Sequence, residues 1–308
     1  MFLRLKTGCQ RNPQGNVLGP ILFIFYINDF IEKIPDQSIA KLYADDLKAS
    51  NSCTKGAEEA AFNETLASIE KWADPWQLPI SSEKSKWICI SNKPQNPMLP
   101  EVSFELAGTV LPQTSDVVDL GVKFNSKLNF GDHISSIIAK AKQRLFLLKK
   151  IFISKNAPIL ILSFKTYVMP LLEYCSQVWS PSNISDIRRI ESVQRMFTKK
   201  LAGYQGLSYS ARLEKAGLCT LELRRLRTDL CFCYKLLHGQ IDTPAQTFLE
   251  IDSSRQTRRH SWKLKTIAPR LDTRLNFFSC RVVKPWNHLS QSTVEANSFE
   301  SFRGAAPT

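Results

Sequence analysis

Asp45 and Asp46 stand side by side after Tyr43-Ala44, between two short runs of strand character at residues 39–43 and 47–49. Neighbours in a regular strand project to opposite faces, so a turn is needed for both carboxylates to approach one site. Two close carboxylates repel unless a cation lies with them. Hard oxygen donors with no His or Cys nearby suit Mg²⁺, which takes one or two protein carboxylates and leaves coordination for substrate phosphates. Two such ions activate a 3′ hydroxyl and stabilise a departing pyrophosphate. Asp-Asp pairs are also commonplace in surface turns, so the pair has to be weighed by its surroundings.

Those surroundings predict an α+β region over the first 125 residues. Gln14-Gly15-Asn16 reads as a tight turn, and Gly19-Pro20 opens a helix, with Pro20 where a missing N–H costs nothing. From Ile21 to Ile31 almost every residue is apolar, which predicts a helix buried inside a domain. Residues 58–72 read as a helix with Ala61, Thr65, Ile69 and Trp72 on one face. Residues 86–91 read as a strand, Pro94, Pro97 and Pro100 as a linker, and 102–124 as strands around Gly108 and Gly121. Beyond residue 130 the period becomes helical. Ile134, Ile137, Ile138, Ala141, Leu145 and Leu148 form one stripe, 158–178 one apolar core helix, and Asn183 caps a helix striped by Ile184, Ile187, Ile190, Val193, Phe197 and Leu201. A further helix at 221–237 carries Arg224, Arg225 and Arg227.

Charge divides along the same line. The 308 residues carry a net +13, but residues 1–130 are net −2, whereas 131–308 hold 28 Lys and Arg against 13 Asp and Glu. Such a basic half points to a polyanionic partner or a merely soluble surface. The eight cysteines form no CxxC pair and the four histidines no ligand spacing, so reduced, packed, intracellular thiols are expected. The longest apolar run, residues 17–27, is too short to cross a bilayer. GxSxG, GxxxxGK[ST], HExxH and GxGxxG are all missing, which removes serine hydrolase, P-loop, zinc protease and dinucleotide chemistry. The stretch 253–265, with Arg255, Arg258, Arg259, Lys263 and Lys265, reads equally as a nucleic-acid contact, a nuclear-localisation patch or a solvated loop.

The words Pro13-Gln14-Gly15-Asn16-Val17-Leu18-Gly19-Pro20, then Tyr26-Ile27-Asn28-Asp29, then Leu42-Tyr43-Ala44-Asp45-Asp46 occur in an order and spacing that resemble the reverse transcriptase of non-LTR retrotransposons of the jockey and chicken-repeat type. Residues 72–84 resemble the next palm motif, Asp119-Leu120-Gly121-Val122 the primer grip, and 130–140, 167–179, 190–200 and 277–289 the thumb and tail. The resemblance implies an incomplete right-hand polymerase palm at 1–126, a mainly helical thumb and connection at 127–240, and a basic C-terminal extension at 241–308. It implies Asp45 and Asp46 as catalytic, Mg²⁺-binding carboxylates, Tyr43 and Ala44 near the primer end or incoming nucleotide, and Gln14 and Gly15 against template and nucleotide. Lys84 falls at the lysine that assists pyrophosphate departure, with Lys86 close enough to share the register, and Leu120 and Gly121 at the primer. Each has a plainer reading: a turn glycine, a solvated lysine, a strand and its bulge. RNA template, DNA primer and deoxynucleoside triphosphates are the implied partners, Mg²⁺ the cofactor, with no membrane and no organic cofactor. A nuclear and cytoplasmic ribonucleoprotein is the implied setting.

The family's palm carries a further Asp motif before Gln14, and the 13 residues preceding Gln14 contain no Asp or Glu. Arg11-Asn12, Asn16 and Leu47 are lesser departures. The sequence therefore predicts an incomplete metal site and little activity for this polypeptide alone, and an apolar patch near Phe23, Phe25 and Phe30 where the family's helix is covered by other palm and fingers surfaces. The competing expectations are a non-catalytic RNA- or DNA-binding remnant that uses the basic half, and a decayed product without function.

Overall fold

The computed structural model describes residues 2–4, 18–51, 58–78, 80–91, 103–153, 155–252, 260–269 and 271–306. The chain mixes helix with short antiparallel sheets and divides into two compact units, Met1–Val118 with Asn125–Lys127, and Asp119–Phe124 with Leu128–Thr308.

In the first unit, strands β1 (Phe2–Arg4), β2 (Ile39–Tyr43) and β3 (Asp46–Ser50) form a sheet ordered β1-β3-β2. Opposite residues pair from Ile39↔Ser50 to Tyr43↔Asp46. This register turns Ala40, Leu47 and Ala49 into the core, where they meet Phe62, Leu66, Ile69 and Trp72 of helix α2 (Glu58–Ala73). The predicted α2 face is thus buried at Thr65, Ile69 and Trp72, with Phe62 and Leu66 completing it. Two small hairpins follow: β4 (Glu105–Leu106) with β5 (Thr109–Val110), and β6 (Asp116–Asp119) with β7 (Val122–Asn125).

Helix α1 (Gly19–Ile27) starts at Gly19-Pro20 as expected, but its expected burial does not occur. Ile27 is its only buried residue, while Leu22, Ile24 and Phe25 are 57%, 59% and 76% exposed. An all-round apolar helix offers no single face to one core, so only the side toward α2 is covered. The expected patch is therefore present at Phe25, but Phe23 packs against the core and Phe30, in the 3-10 turn Asn28–Lys33, is fully buried against Trp72. The 86–91 strand is also corrected. Trp87 makes one isolated bridge to Gln113, because its ladder neighbour Pro112 has no N–H to continue the pairing.

The second unit is helical. Helix α3 (Gly131–Ile151) buries its predicted stripe, from Ile134 to Leu148, against α7 (Ile184–Lys199) and α5 (Met169–Glu173). The single core helix expected at 158–178 is instead three: α4 (Ala157–Tyr167), α5 and α6 (Ser176–Trp179). Pro170 stands in the first turn of α5, and Cys175 takes a left-handed φ of 57° that no helix interior tolerates. Asn183 Oδ1 accepts from the Ser185 N–H as the expected cap, although Ile184 stays exposed.

Helix α9 (Leu221–Leu237), capped by Thr220, serves two cores. Leu221 joins the α3–α7 core. After the short exposed helix α10 (Asp272–Leu275), Leu230, Cys233, Tyr234 and Leu236 join a second core with Trp286 and Phe302, built with α11 (Phe278–Arg281), α12 (Val283–Asn287), α13 (Gln291–Val294) and α14 (Phe299–Ala305). Helix α8 (Tyr209–Ala216) closes the other flank of α7. Arg281 ties α11 to α9 with a two-toothed grip on the buried Asp229, at 2.9 and 3.0 Å, and also donates to the Gln177 carbonyl at 2.7 Å. Arg225, expected on a basic face, is 98% buried and so belongs to the interior.

Candidate active site

The β2–β3 turn has only two loop residues, Ala44 and Asp45, because Tyr43 pairs directly with Asp46. Ala44 takes a φ of 50°, the left-handed conformation that a two-residue hairpin demands at its first loop position. An L-residue with a Cβ is strained there by roughly 1 kcal/mol. The turn breaks strand alternation between Asp45 and Asp46, consecutive residues whose Cα atoms lie about 3.8 Å apart. Both aspartates are half-buried, and Tyr43 is 65% exposed at the hairpin end. With Leu47 and Ala49 turned into the core, Asp46 shares the opposite face of the sheet with Tyr43, Lys41 and Lys48.

Lys84 is exposed in the 3-10 turn Ser82–Lys84, which packs against β1, the strand in register with β3. Lys86, its rival for the register, is half-buried. Gln14 and Gly15 lie outside the described residues, as do Arg255, Arg258 and Arg259.

Two residues of the Tyr26–Asp29 word fasten α1 and the following turn to the end of α2. Asp29 accepts from the Trp72 indole at 3.2 Å, and Tyr26 donates to the Trp76 carbonyl.

Leu120 and Gly121 form the tip of the β6–β7 hairpin, in the second unit, with φ of 43° and 86°. The Leu120 carbonyl accepts from Tyr174 Oη at 3.0 Å, and the Tyr174 carbonyl accepts from the Trp179 indole at 2.7 Å. His133 lies edge-on to Trp179 and accepts at Nδ1 from the Lys123 N–H at 3.3 Å, so its proton sits on Nε2. Burial, and next the charge of Lys140, lower the His133 pKa and keep the ring neutral. The tip is thus carried by helices α3, α5 and α6.

Among the described residues, no group of three or more His, Cys, Asp or Glu side chains converges to hold a metal ion, so Asp45 and Asp46 are the two candidate ligands the hairpin supplies.

Residues 4–140 match the family described as reverse transcriptase (RNA-dependent DNA polymerase). The chain is 28% identical over 194 residues to a probable RNA-directed DNA polymerase from transposon BS of Drosophila melanogaster, a match covering 59% of this chain and 21% of that one. It is 28% identical over 209 residues to the corresponding X-element protein of the same fly, covering 62% and 21%. It is 24% identical over 241 residues to the RNA-directed DNA polymerase from mobile element jockey of Drosophila funebris, covering 75% and 25%. The chain therefore spans between a fifth and a quarter of the length of these relatives. No solved structure matches it. The matched residues contain the Asp45-Asp46 hairpin and the Leu120-Gly121 tip, and these relatives are named as RNA-directed DNA polymerases, two of them probable, of transposons or a mobile element.

Proposed function

We propose that this reverse transcriptase segment forms part of an RNA-directed DNA polymerase that adds deoxynucleotides to a primer on an RNA template. The observation that carries the proposal is the Ala44–Asp45 hairpin loop, whose left-handed first residue puts two consecutive carboxylates at one end of the sheet. The donor set fits Mg²⁺, since it is all oxygen with no nearby soft ligand. Asp45 and Asp46 would hold the ion, which when bound activates a hydroxyl nucleophile and neutralises phosphate charge.

The chain's own residues supply positioning. Tyr43, exposed beside Asp46, offers a ring for the primer end or nucleotide, and Ala44 leaves room for its approach. Lys84 offers a cation for pyrophosphate, Gln14 and Gly15 line template and nucleotide, and the Leu120-Gly121 tip bears on the primer. Residues 1–126 act as palm, 127–240 as thumb and connection, and 241–308 as a basic extension, in a nuclear and cytoplasmic ribonucleoprotein. Two carboxylates from one turn hold less than a full pair of ions, so activity requires a further carboxylate that joins them.

The test is primer extension on an RNA template by a polypeptide that joins these residues to the preceding half of the reverse transcriptase domain. Asp45→Asn or Asp46→Asn is expected to lower the rate at least about a thousandfold, the scale for removing one transition-state electrostatic group. Undiminished extension by either variant would refute the assignment. Salt-sensitive nucleic-acid binding with no extension in any polypeptide would favour the remnant reading, which rests on the excess of cations after residue 130.

A further inference from the structure

We propose that the helical unit holds a second site, separate from the aspartate hairpin and beyond the reverse transcriptase match, that takes one nucleoside monophosphate unit. The site is a cavity of about 360 Å³ lined by Lys165, Met169, Leu218, Cys219, Arg224 and Arg227. That volume is at the small end of the range for ligand clefts, enough for one nucleotide and too small for a duplex.

The cations are held in place, and only one of the three is paired with a carboxylate. Lys165 Nζ donates to the Gly217 carbonyl at 3.3 Å, and Arg227 donates one N–H to the Arg303 carbonyl at 3.0 Å. Arg224 forks onto Glu173, so three cations face one carboxylate and the lining keeps an excess of two positive charges. A guanidinium has five N–H donors, which leaves Arg227 able to grip a phosphate in two places. The start of α9 does not compete for this role, because Leu221 N–H goes to Glu191 and Leu223 N–H to Thr220.

The rest of the lining is apolar. Half-buried Leu218 offers an alkyl surface that suits the flat face of a base, and Met169, 98% buried, completes the apolar lining. A dianionic phosphate with a planar, weakly polar body answers both halves, whether it arrives as a free nucleotide or as one unit of a single strand. The site stands on these residues alone, so its failure leaves the polymerase proposal as it was.

Cys219 lines the cavity against the Arg224 guanidinium and serves as a reporter. The full chain is treated with N-ethylmaleimide, and alkylation of Cys219 is followed by peptide mass spectrometry, with half-buried Cys280 as internal reference. Adenosine monophosphate or a single-stranded deoxythymidine decamer at about four times Kd is expected to slow Cys219 fivefold and leave Cys280 unchanged. Protection by the monophosphate assigns a free-nucleotide site, and protection by the decamer alone assigns a strand site. Calorimetric titration of the same two ligands is expected to weaken about tenfold or more in Lys165→Ala/Arg227→Ala. The proposal is overturned if neither ligand binds, if adenosine or inorganic phosphate protects as well as the monophosphate, or if the double variant binds unchanged.

Discussion

Glu191, Gln194 and Tyr209 show how single polar residues set the order of the helical unit. Glu191 and Gln194 are 94% and fully buried on α7, between the apolar positions Ile190, Val193 and Phe197. Tyr209 donates its hydroxyl proton to Glu191, Gln194 donates to that hydroxyl at 3.1 Å, and Glu191 also accepts the first amide of α9 at 2.9 Å. One carboxylate thus joins α7, α8 and α9. Burial first, and the Glu191 carboxylate second, push the Tyr209 pKa up. A group whose folded pKa is raised contributes stability that is fully present below its unfolded pKa, about 10 for tyrosine, and is lost as pH rises through the folded value. Between pH 8 and about 10.5 the wild type should therefore lose more stability than Tyr209→Phe, measured as the drop in urea midpoint. Equal drops would mean that the phenol proton is not held by Glu191. Nothing in the sequence separated Glu191 and Gln194 from solvated residues beside the stripe, because their burial depends on Tyr209 and Leu221 arriving from elsewhere in the chain.

Elements whose positions are fixed by local rules were the legible ones. Pro20 started α1, the paired runs around Ala44-Asp45 gave the hairpin, Asn183 capped α7, and the stripes of α2 and α3 found their cores. The failures lie where a tertiary fact overrides the pattern. Residues 158–178 carry enough apolar side chains for one helix, but Pro170 and the left-handed Cys175 break it so that Tyr174 can reach Leu120. The β6–β7 tip then carries a cost that can be relieved. Leu120 has a φ of 43° ahead of Gly121, where Asn-Gly is the favoured pair, and its hydrogen bond uses only the backbone carbonyl. Leu120→Asn is expected to stabilise the chain by about 0.5–1 kcal/mol, seen as a higher Tm, and a lower Tm would show that the Leu120 side chain is needed there. In α1, Leu22→Lys with Phe25→Glu should reduce binding of a hydrophobic dye while changing stability by no more than about 0.5 kcal/mol, since both side chains face solvent. A large loss of stability would place that face inside a packed core.

At the scale of the whole molecule, charge and fold divide the labour. The first unit holds the paired carboxylates and is net negative, and the helical unit holds all the excess of cations. Not every cation is available to a partner. Arg225 is interior, Arg281 is committed to Asp229, Arg189 to Asp186, and Lys265 to Glu250. Lys140 and Lys142 on α3, by contrast, are exposed beside its buried stripe. Counterion release makes the logarithm of the binding constant fall by about 0.9 per phosphate neutralised for each decade of salt. On the proposed function, the full chain is expected to bind an RNA–DNA hybrid with a slope of roughly −3 or steeper, short of what the formal charge alone would give. Lys140→Ala with Lys142→Ala should make that slope shallower by up to about two and weaken all sequences alike. Arg281→Ala should leave the slope of the folded protein unchanged and instead lower its stability by about 3 kcal/mol, because it strands the buried Asp229. If Arg281→Ala flattened the salt response as much as the α3 pair, the grip on Asp229 would be a phosphate contact and not a tie between α11 and α9.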